Sequence, residues 1–182
     1  LKRWQQQGLP PLRMSVNVSS RQCQQSNLLN TVTLALKASE LAPQWLELEL
    51  TETLLMQEDL DNKNSGFAMF QELRDLGVQL AVDDFGTGYS SLSYLKRFPV
   101  STLKIDRSFV KDVCNSSDDS AITSAIVAMA HSLQLSVIAE GIETVEQMKF
   151  LKSLHCGIGQ GFLFSRPISA EEMTHLLRLR TD

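Results

Sequence analysis

Two adjacent carboxylates, Asp83 and Asp84, follow an apolar stretch at residues 78–82 that is typical of a buried strand. Two carboxylates about 4 Å apart repel each other by roughly 4 kcal/mol at an effective dielectric constant near 20. The pair would therefore destabilise the fold, or hold a proton, unless cations bind. Mg²⁺ and Mn²⁺ would resolve the excess charge, because these ions prefer oxygen ligands. The pair indicates a site for divalent cations.

Polar side chains also stand at the ends of the other predicted strands. These residues are Asn17, Glu49, Glu52, Lys104, Asp106, Glu140, Glu143 and Gln160. Ligands of parallel α/β folds bind at the carboxyl ends of the strands, so we expect these side chains to converge on one face. Any one of them alone would be better explained as a helix cap or a solvated loop residue. Glu49 and Lys104, however, lie within apolar strand stretches, where capping does not explain them.

The predicted cluster has four carboxylates, and Lys104 supplies its single positive charge. Asp83 could bridge two divalent ions, with Asp84 binding the second. Two ions about 3.5–4 Å apart activate a water and stabilise an in-line phosphoryl displacement. The histidines are poorly placed for zinc, because His131 and His175 fall in helical patterns and His155 lies in a loop without a suitably spaced partner.

The segment "GTGYSS" after the paired aspartates is predicted to be a loop that approaches a ligand. Gly86 and Gly88 permit tight turns, and Thr87 and Ser90 can donate hydrogen bonds. A glycine-rich loop alone is weak evidence, because plain turns use the same residues. A protein kinase is rejected, because "DFG" here lacks the kinase lysine strand, catalytic loop and phosphate-covering loop.

The elements that would position these residues alternate between short strands and helices, which predicts a parallel sheet wrapped by helices. The predicted strands lie at residues 14–18, 46–50, 78–83, 102–105, 136–139 and 161–164. Apolar stripes at helical spacing lie at residues 28–36, 67–76, 122–129 and 173–177. An open doubly wound sheet and a closed (β/α) barrel both remain possible, since six strands are counted where a full barrel needs eight.

The composition indicates one globular domain. The chain has 182 residues and a net charge of −4, which argues against a partner that is a nucleic acid polymer. The three cysteines predict no disulfide framework, and the sequence shows neither a signal peptide nor an apolar run of membrane-spanning length. We therefore expect a cytoplasmic location. Because the chain starts at Leu1 in what reads as the tail of a helix, we expect it to be part of a longer protein, whose upstream region could hold a membrane anchor.

Six segments together resemble the bacterial EAL-domain phosphodiesterases, which hydrolyse cyclic di-GMP. They are "VNVSSRQ", "LELELTET", "DDFGTGYSSLSYL", "LKIDRSFV", "VIAEGIET" and "QGFLFSRP", and they follow the family's order through residues 13–167. The resemblance implies a TIM-like barrel with one antiparallel strand, about six of its eight strands falling in this chain. It also implies two Mg²⁺ or Mn²⁺ ions, cleavage to linear pGpG, a homodimer, and upstream sensory or diguanylate-cyclase-like domains.

The resemblance also implies a role for each matching position. Asn17, Glu49 and Asp83 would bind the first metal, and Asp83, Asp84 and Glu140 the second. Glu140 would be the general base, and Lys104 would hold the attacking water or the phosphate. Glu52 would anchor a loop tied to dimerisation, made of Phe85, Gly86, Thr87, Gly88, Tyr89 and Ser90. The metal and substrate surroundings would be completed by Ser19, Asp106, Glu143 and Gln160.

The Glu-Ala-Leu motif that names the family is absent, because the chain begins after the matching position. We therefore expect two barrel strands and one metal-binding glutamate to be missing, so that the isolated segment is a poor enzyme while its parent is active. The alternative is a catalytically silent cyclic di-GMP receptor, but the persistence of Asn17, Glu49, Asp83, Asp84, Lys104 and Glu140 favours an enzyme. The residues alone, without the resemblance, would also fit an unrelated metal-dependent barrel enzyme.

Overall fold

The computed structural model describes residues 1–24, 27–60, 65–87 and 93–179. Its sheet has six strands: β1 (Met14–Val18), β2 (Leu46–Thr51), β3 (Gln79–Phe85), β4 (Thr102–Ile105), β5 (Ser136–Ala139) and β6 (Ile158–Gly159). All neighbouring strands are parallel and follow one another in chain order. A doubly wound sheet would reverse its strand order at a switch point, so this order is that of a partial TIM-like (β/α) barrel. The antiparallel strand of the family is not among these six strands of the described residues.

Helices connect the strands and cover one face of the sheet. They are α1 (Lys2–Gln6), α2 (Ser20–Gln24), α3 (Leu28–Ser39), α4 (Glu52–Leu60), α5 (Ser65–Asp75), α6 (Ser93–Arg97), α7 (Arg107–Lys111), α8 (Ser117–Ser132), α9 (Val145–Ser153) and α10 (Ala170–Leu179), with a 3₁₀ turn at Pro43–Trp45. Several begin at the residues that cap them: the side chains of Asp106, Ser116 and Thr144 accept hydrogen bonds from the first turns of α7, α8 and α9. The helices predicted from the apolar stripes are confirmed.

The two faces of the sheet differ in polarity. Alternate strand residues such as Leu50, Val82 and Leu103 are completely buried in the apolar core that the sheet forms with the helices. Successive strand residues point to opposite faces, so Glu49, Asp83 and Lys104 project from the other side. The hydrophobic core therefore lies between the helices and the outer face of the sheet, and the inner face carries polar groups.

The sixth strand differs from the prediction. It was expected at residues 161–164, but the strand is Ile158–Gly159, which pairs with Ile138 and Ala139. The apolar run that follows is a turn packed against Ile142: a Cβ on Gly161 would lie 2.1 Å from the Ile142 carbonyl oxygen. The Leu163 N–H donates a hydrogen bond to that same oxygen. The run resembles a strand in composition, but its backbone is bound to the loop after β5.

The first and last described helices contact each other. The Trp4 indole Nε1–H donates a 2.8 Å hydrogen bond to Thr174 Oγ1, joining α1 to α10. None of the helices in the described part of the chain has both the length and the apolar character needed to cross a membrane.

Candidate active site

The register of the sheet brings the predicted residues to one end of its inner face. Asn17 of β1 lies opposite Glu49 of β2, and Thr51 lies opposite Asp83 of β3. Glu140 directly follows β5, where its N–H donates a hydrogen bond to the Ile105 carbonyl. The parallel strands therefore deliver these side chains to a common region, as the sequence predicted.

Lys104 is the centre of this region. Its ammonium Nζ lies 2.8 Å from Glu49 Oε1, 2.9 Å from Asp83 Oδ1 and 2.6 Å from Glu140 Oε1. Burial lowers the pKa of Lys104, but the hydrogen bonds to Glu140, Glu49 and Asp83 outweigh this and hold the pKa above its usual range. Lys104 is therefore a permanent cation that links β2, β3, β4 and the end of β5.

A β-bulge explains how two consecutive aspartates serve one site. In β3, Val82 pairs with Leu103 and Phe85 with Ile105, so Asp83 and Asp84 together oppose Lys104 alone. Adjacent strand residues would otherwise point to opposite faces, and a bulge re-aims one of them. Asp84 takes a left-handed backbone conformation, with φ of 53°. Carboxylate oxygens of Asp83, Asp84 and Glu140 consequently lie within 4.8 Å of one another.

The carboxylates carry more negative charge than their described partners neutralise. Burial, followed by the charges of Asp83 and Asp106, raises the pKa of Asp84. Burial also raises the pKa of Glu140, against the lowering effect of Lys104. Asp83 Oδ1 is buried beside the Lys104 ammonium at 2.9 Å, and no second described group donates a hydrogen bond to it. A buried oxygen with spare capacity beside two further carboxylates fits a divalent cation.

The other predicted residues surround this cluster. Asn17 is exposed on the edge strand β1. Glu143 forms a 2.6 Å ion pair with Arg107, and both line a cavity of about 750 Å³ that Glu140 and Gln160 also border. The carboxylate cluster borders this cavity through Glu140, and the cavity volume is in the range of small-molecule binding sites.

Two predicted residues have local structural roles. Asp106 caps α7 by accepting a hydrogen bond from the Ser108 N–H at 2.9 Å, while its charge still acts on Asp84. Ser19 precedes α2, and its hydroxyl donates a 2.7 Å hydrogen bond to Gln22 Oε1. The Ser19 hydroxyl also accepts a hydrogen bond from the Gln22 N–H, so its described hydrogen bonds are made within the start of a helix.

The loop after the aspartates is held by Glu52. This buried carboxylate accepts a 2.8 Å hydrogen bond from the Gly86 N–H, and the Thr87 hydroxyl donates one of 2.9 Å to the Asp84 carbonyl. Phe85 is buried in the core. The predicted loop residues Gly88, Tyr89 and Ser90 lie outside the described residues.

Sequence reasoning missed Glu47, which lies on the inner face one layer below Glu49. It is 1% exposed and accepts hydrogen bonds from Ser15, Thr102 and Arg13. The signal was present in "LELEL", because a glutamate two residues before Glu49 must share its face.

Comparison with known proteins gives one consistent family. The EAL domain family model matches residues 1–167. Cyclic di-GMP phosphodiesterase NbdA of Pseudomonas aeruginosa is 46% identical over 167 residues, which are 92% of this chain and 21% of that protein. The chain spans about a fifth of the length of curated relatives such as this one.

Solved structures agree with the sequence match. The PaMucR phosphodiesterase in complex with c-di-GMP is similar with a TM-score of 0.88 and 42% identity, over 94% of this chain and 68% of that chain. Klebsiella pneumoniae BlrP1, solved as a manganese and cyclic di-GMP complex, is similar with a TM-score of 0.78 and 33% identity, over 91% of this chain and 42% of that chain.

Proposed function

Because the chain belongs to the EAL domain family, we propose that it hydrolyses one phosphodiester bond of cyclic di-GMP and releases linear pGpG. The observation that carries this proposal is the arrangement of Lys104 among Glu49, Asp83 and Glu140, with the Asp84 carboxylate beside them. Phosphodiester hydrolysis requires positive charge near the phosphate and a base near the attacking water, and this cluster offers residues for both.

The carboxylate cluster would hold Mg²⁺ or Mn²⁺, and two ions are proposed. Asn17, Glu49 and Asp83 would bind one ion, and Asp83, Asp84 and Glu140 the other. When bound, such ions lower the pKa of a water molecule and neutralise charge on phosphate oxygens. The proposal is supported by the buried Asp83 Oδ1, which has no described donor besides the Lys104 ammonium, and by the manganese in the similar Klebsiella structure.

Glu140 and Lys104 would act on the reacting atoms. Burial raises the pKa of Glu140, which makes its carboxylate a stronger base toward a proton of the attacking water. The buried Lys104 ammonium would orient that water and stabilise charge on the phosphate, since its own proton is held firmly. The water oxygen would bond to phosphorus as one phosphorus–oxygen ester bond breaks, and the oxygen that leaves would take a proton from solvent and become a hydroxyl of pGpG.

We also propose a homodimer in which the loop after Asp84 couples the site to the partner. Support comes from Glu52, which fixes the Gly86 N–H directly beside the paired aspartates. Upstream sensory or diguanylate-cyclase-like domains would regulate this unit in the longer protein, as the low share of its relatives' length suggests.

Turnover by the full-length protein tests the proposal. Purified protein with Mg²⁺ or Mn²⁺ should convert cyclic di-GMP to pGpG, followed by chromatography, and chelation should stop the reaction. Asp84→Asn should abolish conversion, whereas Glu171→Gln, an exposed acid on α10, should leave it unchanged. If the wild-type protein bound cyclic di-GMP but converted none of it with either Mg²⁺ or Mn²⁺, hydrolysis would be wrong and a receptor function would be established instead.

A further inference from the structure

We infer that Glu47 is a positioning residue, which holds Asn17 and Lys104 in place from one layer below the site. The effect of Glu47 on catalysis rests on the proposed function, whereas its structural role does not depend on the substrate. Glu47 is almost completely buried, and it lies on the inner face of β2 two residues before Glu49.

The carboxylate of Glu47 bridges two strands that are not neighbours. Its Oε1 accepts a 2.9 Å hydrogen bond from Ser15 Oγ of β1, and its Oε2 accepts one of 3.1 Å from Thr102 Oγ1 of β4. β4 is separated from β2 by β3. On β3 the intervening inner-face residue is Ala81, whose small side chain leaves room for Glu47 to reach across.

Each residue that Glu47 binds stands two positions before a site residue. Ser15 precedes Asn17 on β1, and Thr102 precedes Lys104 on β4. Residues two apart on a strand share a face and lie about 6.6 Å apart along it, so fixing one fixes the direction of the other. This matters most for β1, an edge strand among the described residues, whose first four residues are exposed.

The ion pair with Arg13 is a smaller part of this arrangement. Arg13 Nη1 lies 3.2 Å from Glu47 Oε2, but the Arg13 side chain is 48% exposed. An ion pair with one solvated partner contributes little. The hydroxyl contacts of Ser15 and Thr102, of which the Thr102 contact is buried, are therefore the ones that define the position of β1 and β4.

Glutamine at this position separates charge from hydrogen bonding. Glu47→Gln keeps the shape, and both hydroxyls can rotate, so an amide can still bind Ser15 and Thr102. Glu47→Ala removes both contacts. Ser15→Ala removes the contact with β1 and Thr102→Val removes the contact with β4, so each contact is tested separately.

The measurements are made on the folded, full-length protein at a temperature well below unfolding. Glu47→Ala and Ser15→Ala should weaken Mn²⁺ binding by about 10- to 100-fold, the range for residues that orient metal ligands, while Glu47→Gln and the control Arg13→Gln stay close to wild type. Amide hydrogen exchange at Asn17 should accelerate in the same two variants. Thr102→Val should leave Mn²⁺ binding nearly unchanged but broaden the ammonium resonance of Lys104 and lower kcat without raising KM.

A purely structural role makes a different set of predictions. If Ser15→Ala and Thr102→Val lower the melting temperature but leave Mn²⁺ affinity, Asn17 exchange and the Lys104 resonance unchanged, the positioning role is wrong. If Glu47→Gln is as impaired as Glu47→Ala, the charge matters and the hydrogen-bond account is overturned. Because Mn²⁺ binding, exchange and the lysine resonance need no substrate, failure of cyclic di-GMP hydrolysis would leave this test intact.

Discussion

Lys104 shows how a single side chain can serve both stability and chemistry. Its ammonium is buried between carboxylates of β2, β3 and the loop after β5, so removing it leaves mutually repelling charges without this counter-ion. Breaking a buried ionic group in this way is more damaging than losing an exposed ion pair. A counter-ion role and a catalytic role therefore predict different responses to substitution.

We predict that Lys104→Met lowers kcat by about 100-fold or more, because a preorganised cation near the reacting phosphate is lost. The variant should remain folded when Mn²⁺ replaces the missing charge, and kcat is measured on that metal-loaded form. Lys149→Met, at an exposed position on α9, is the matched control and should behave as wild type. A Lys104→Met protein that is less stable but turns over normally would show that the lysine is a counter-ion alone.

The raised pKa values of Glu140 and Asp84 predict a pH dependence of the metal-free protein. Burial raises the pKa of Glu140 above its ordinary value of 4.5 in the folded state. Asp84 is more exposed, and partial burial together with the charges of Asp83 and Asp106 raises its pKa above 3.8. Their contribution to stability is therefore fully present below those ordinary values and is lost as the pH rises through the raised folded-state pKa.

Denaturant melts in the presence of a chelator should consequently show a contribution that falls from about pH 4 upward through the mildly acidic range. Glu140→Gln should flatten this part of the profile, because the amide does not titrate. Saturating Mn²⁺ should reverse the trend, since metal binds the ionised carboxylates and is displaced by protons. A chelated wild-type profile identical to that of Glu140→Gln would contradict the raised pKa of Glu140.

At the scale of elements, the loop after β5 is held against the turn after β6. The Ile142 N–H donates a hydrogen bond to the Gln160 carbonyl, and Gly161 leaves no space for a side chain against the Ile142 backbone. Glu140 and Glu143 belong to this loop. The position of the proposed general base therefore depends on a glycine in a neighbouring turn.

Gly161→Ala should destabilise the protein by about 1–3 kcal/mol, because the added methyl group is forced into a packed backbone. It should also weaken Mn²⁺ binding, since the loop that carries Glu140 must move. Gly157→Ala is the matched control: a Cβ there meets no atom within 4 Å, so little change is expected. Chemical denaturation and metal titration of both variants make the comparison, and equal effects would refute the packing account.

The elements differ in how well the sequence predicts them. β4 and β5 are found at their predicted residues, because short β-branched runs between helical patterns have few other interpretations. The prediction of a strand at residues 161–164 is wrong. The backbone of this run is held by a hydrogen bond to Ile142, which composition and periodicity do not reveal. The bulge at Asp83 and Asp84 could not be predicted from the sequence either, since it depends on the register with β4. Strand-end carboxylates can be predicted from periodicity, whereas which of them touch Lys104 requires the register.

At the scale of the whole molecule, charge and packing are separated across the sheet. The apolar outer face and the helices stabilise the fold, which allows the inner face to collect carboxylates that oppose folding. In the described part of the chain, the Lys104 ammonium contacts three acidic side chains, Glu49, Asp83 and Glu140, and the Asp84 carboxylate lies beside Asp83 and Glu140. The repulsion among these described carboxylates is an electrostatic strain that a bound cation or added protons would relieve.

This strain leads to a prediction about the stability of the entire domain. An ion that binds the folded state alone at 100 times its dissociation constant adds about 2.7 kcal/mol. For a domain of this size, about 1 kcal/mol corresponds to roughly 2–4 °C, so Mg²⁺ or Mn²⁺ should raise the melting temperature by roughly 5–11 °C at that concentration. The measurement is a thermal melt of the full-length protein at neutral pH, with chelator or with saturating metal.

Two variants and a salt control test whether the shift comes from coordination. Asp83→Asn should reduce the shift in melting temperature, because it removes the charge of a residue proposed to bind metal. Glu171→Gln removes an exposed charge of the same sign and should leave the shift unchanged. Sodium at equal ionic strength should have little effect, since screening does not replace coordination. An unchanged melting temperature at saturating metal, or an undiminished shift in Asp83→Asn, would show that the carboxylates are balanced by groups other than a divalent ion.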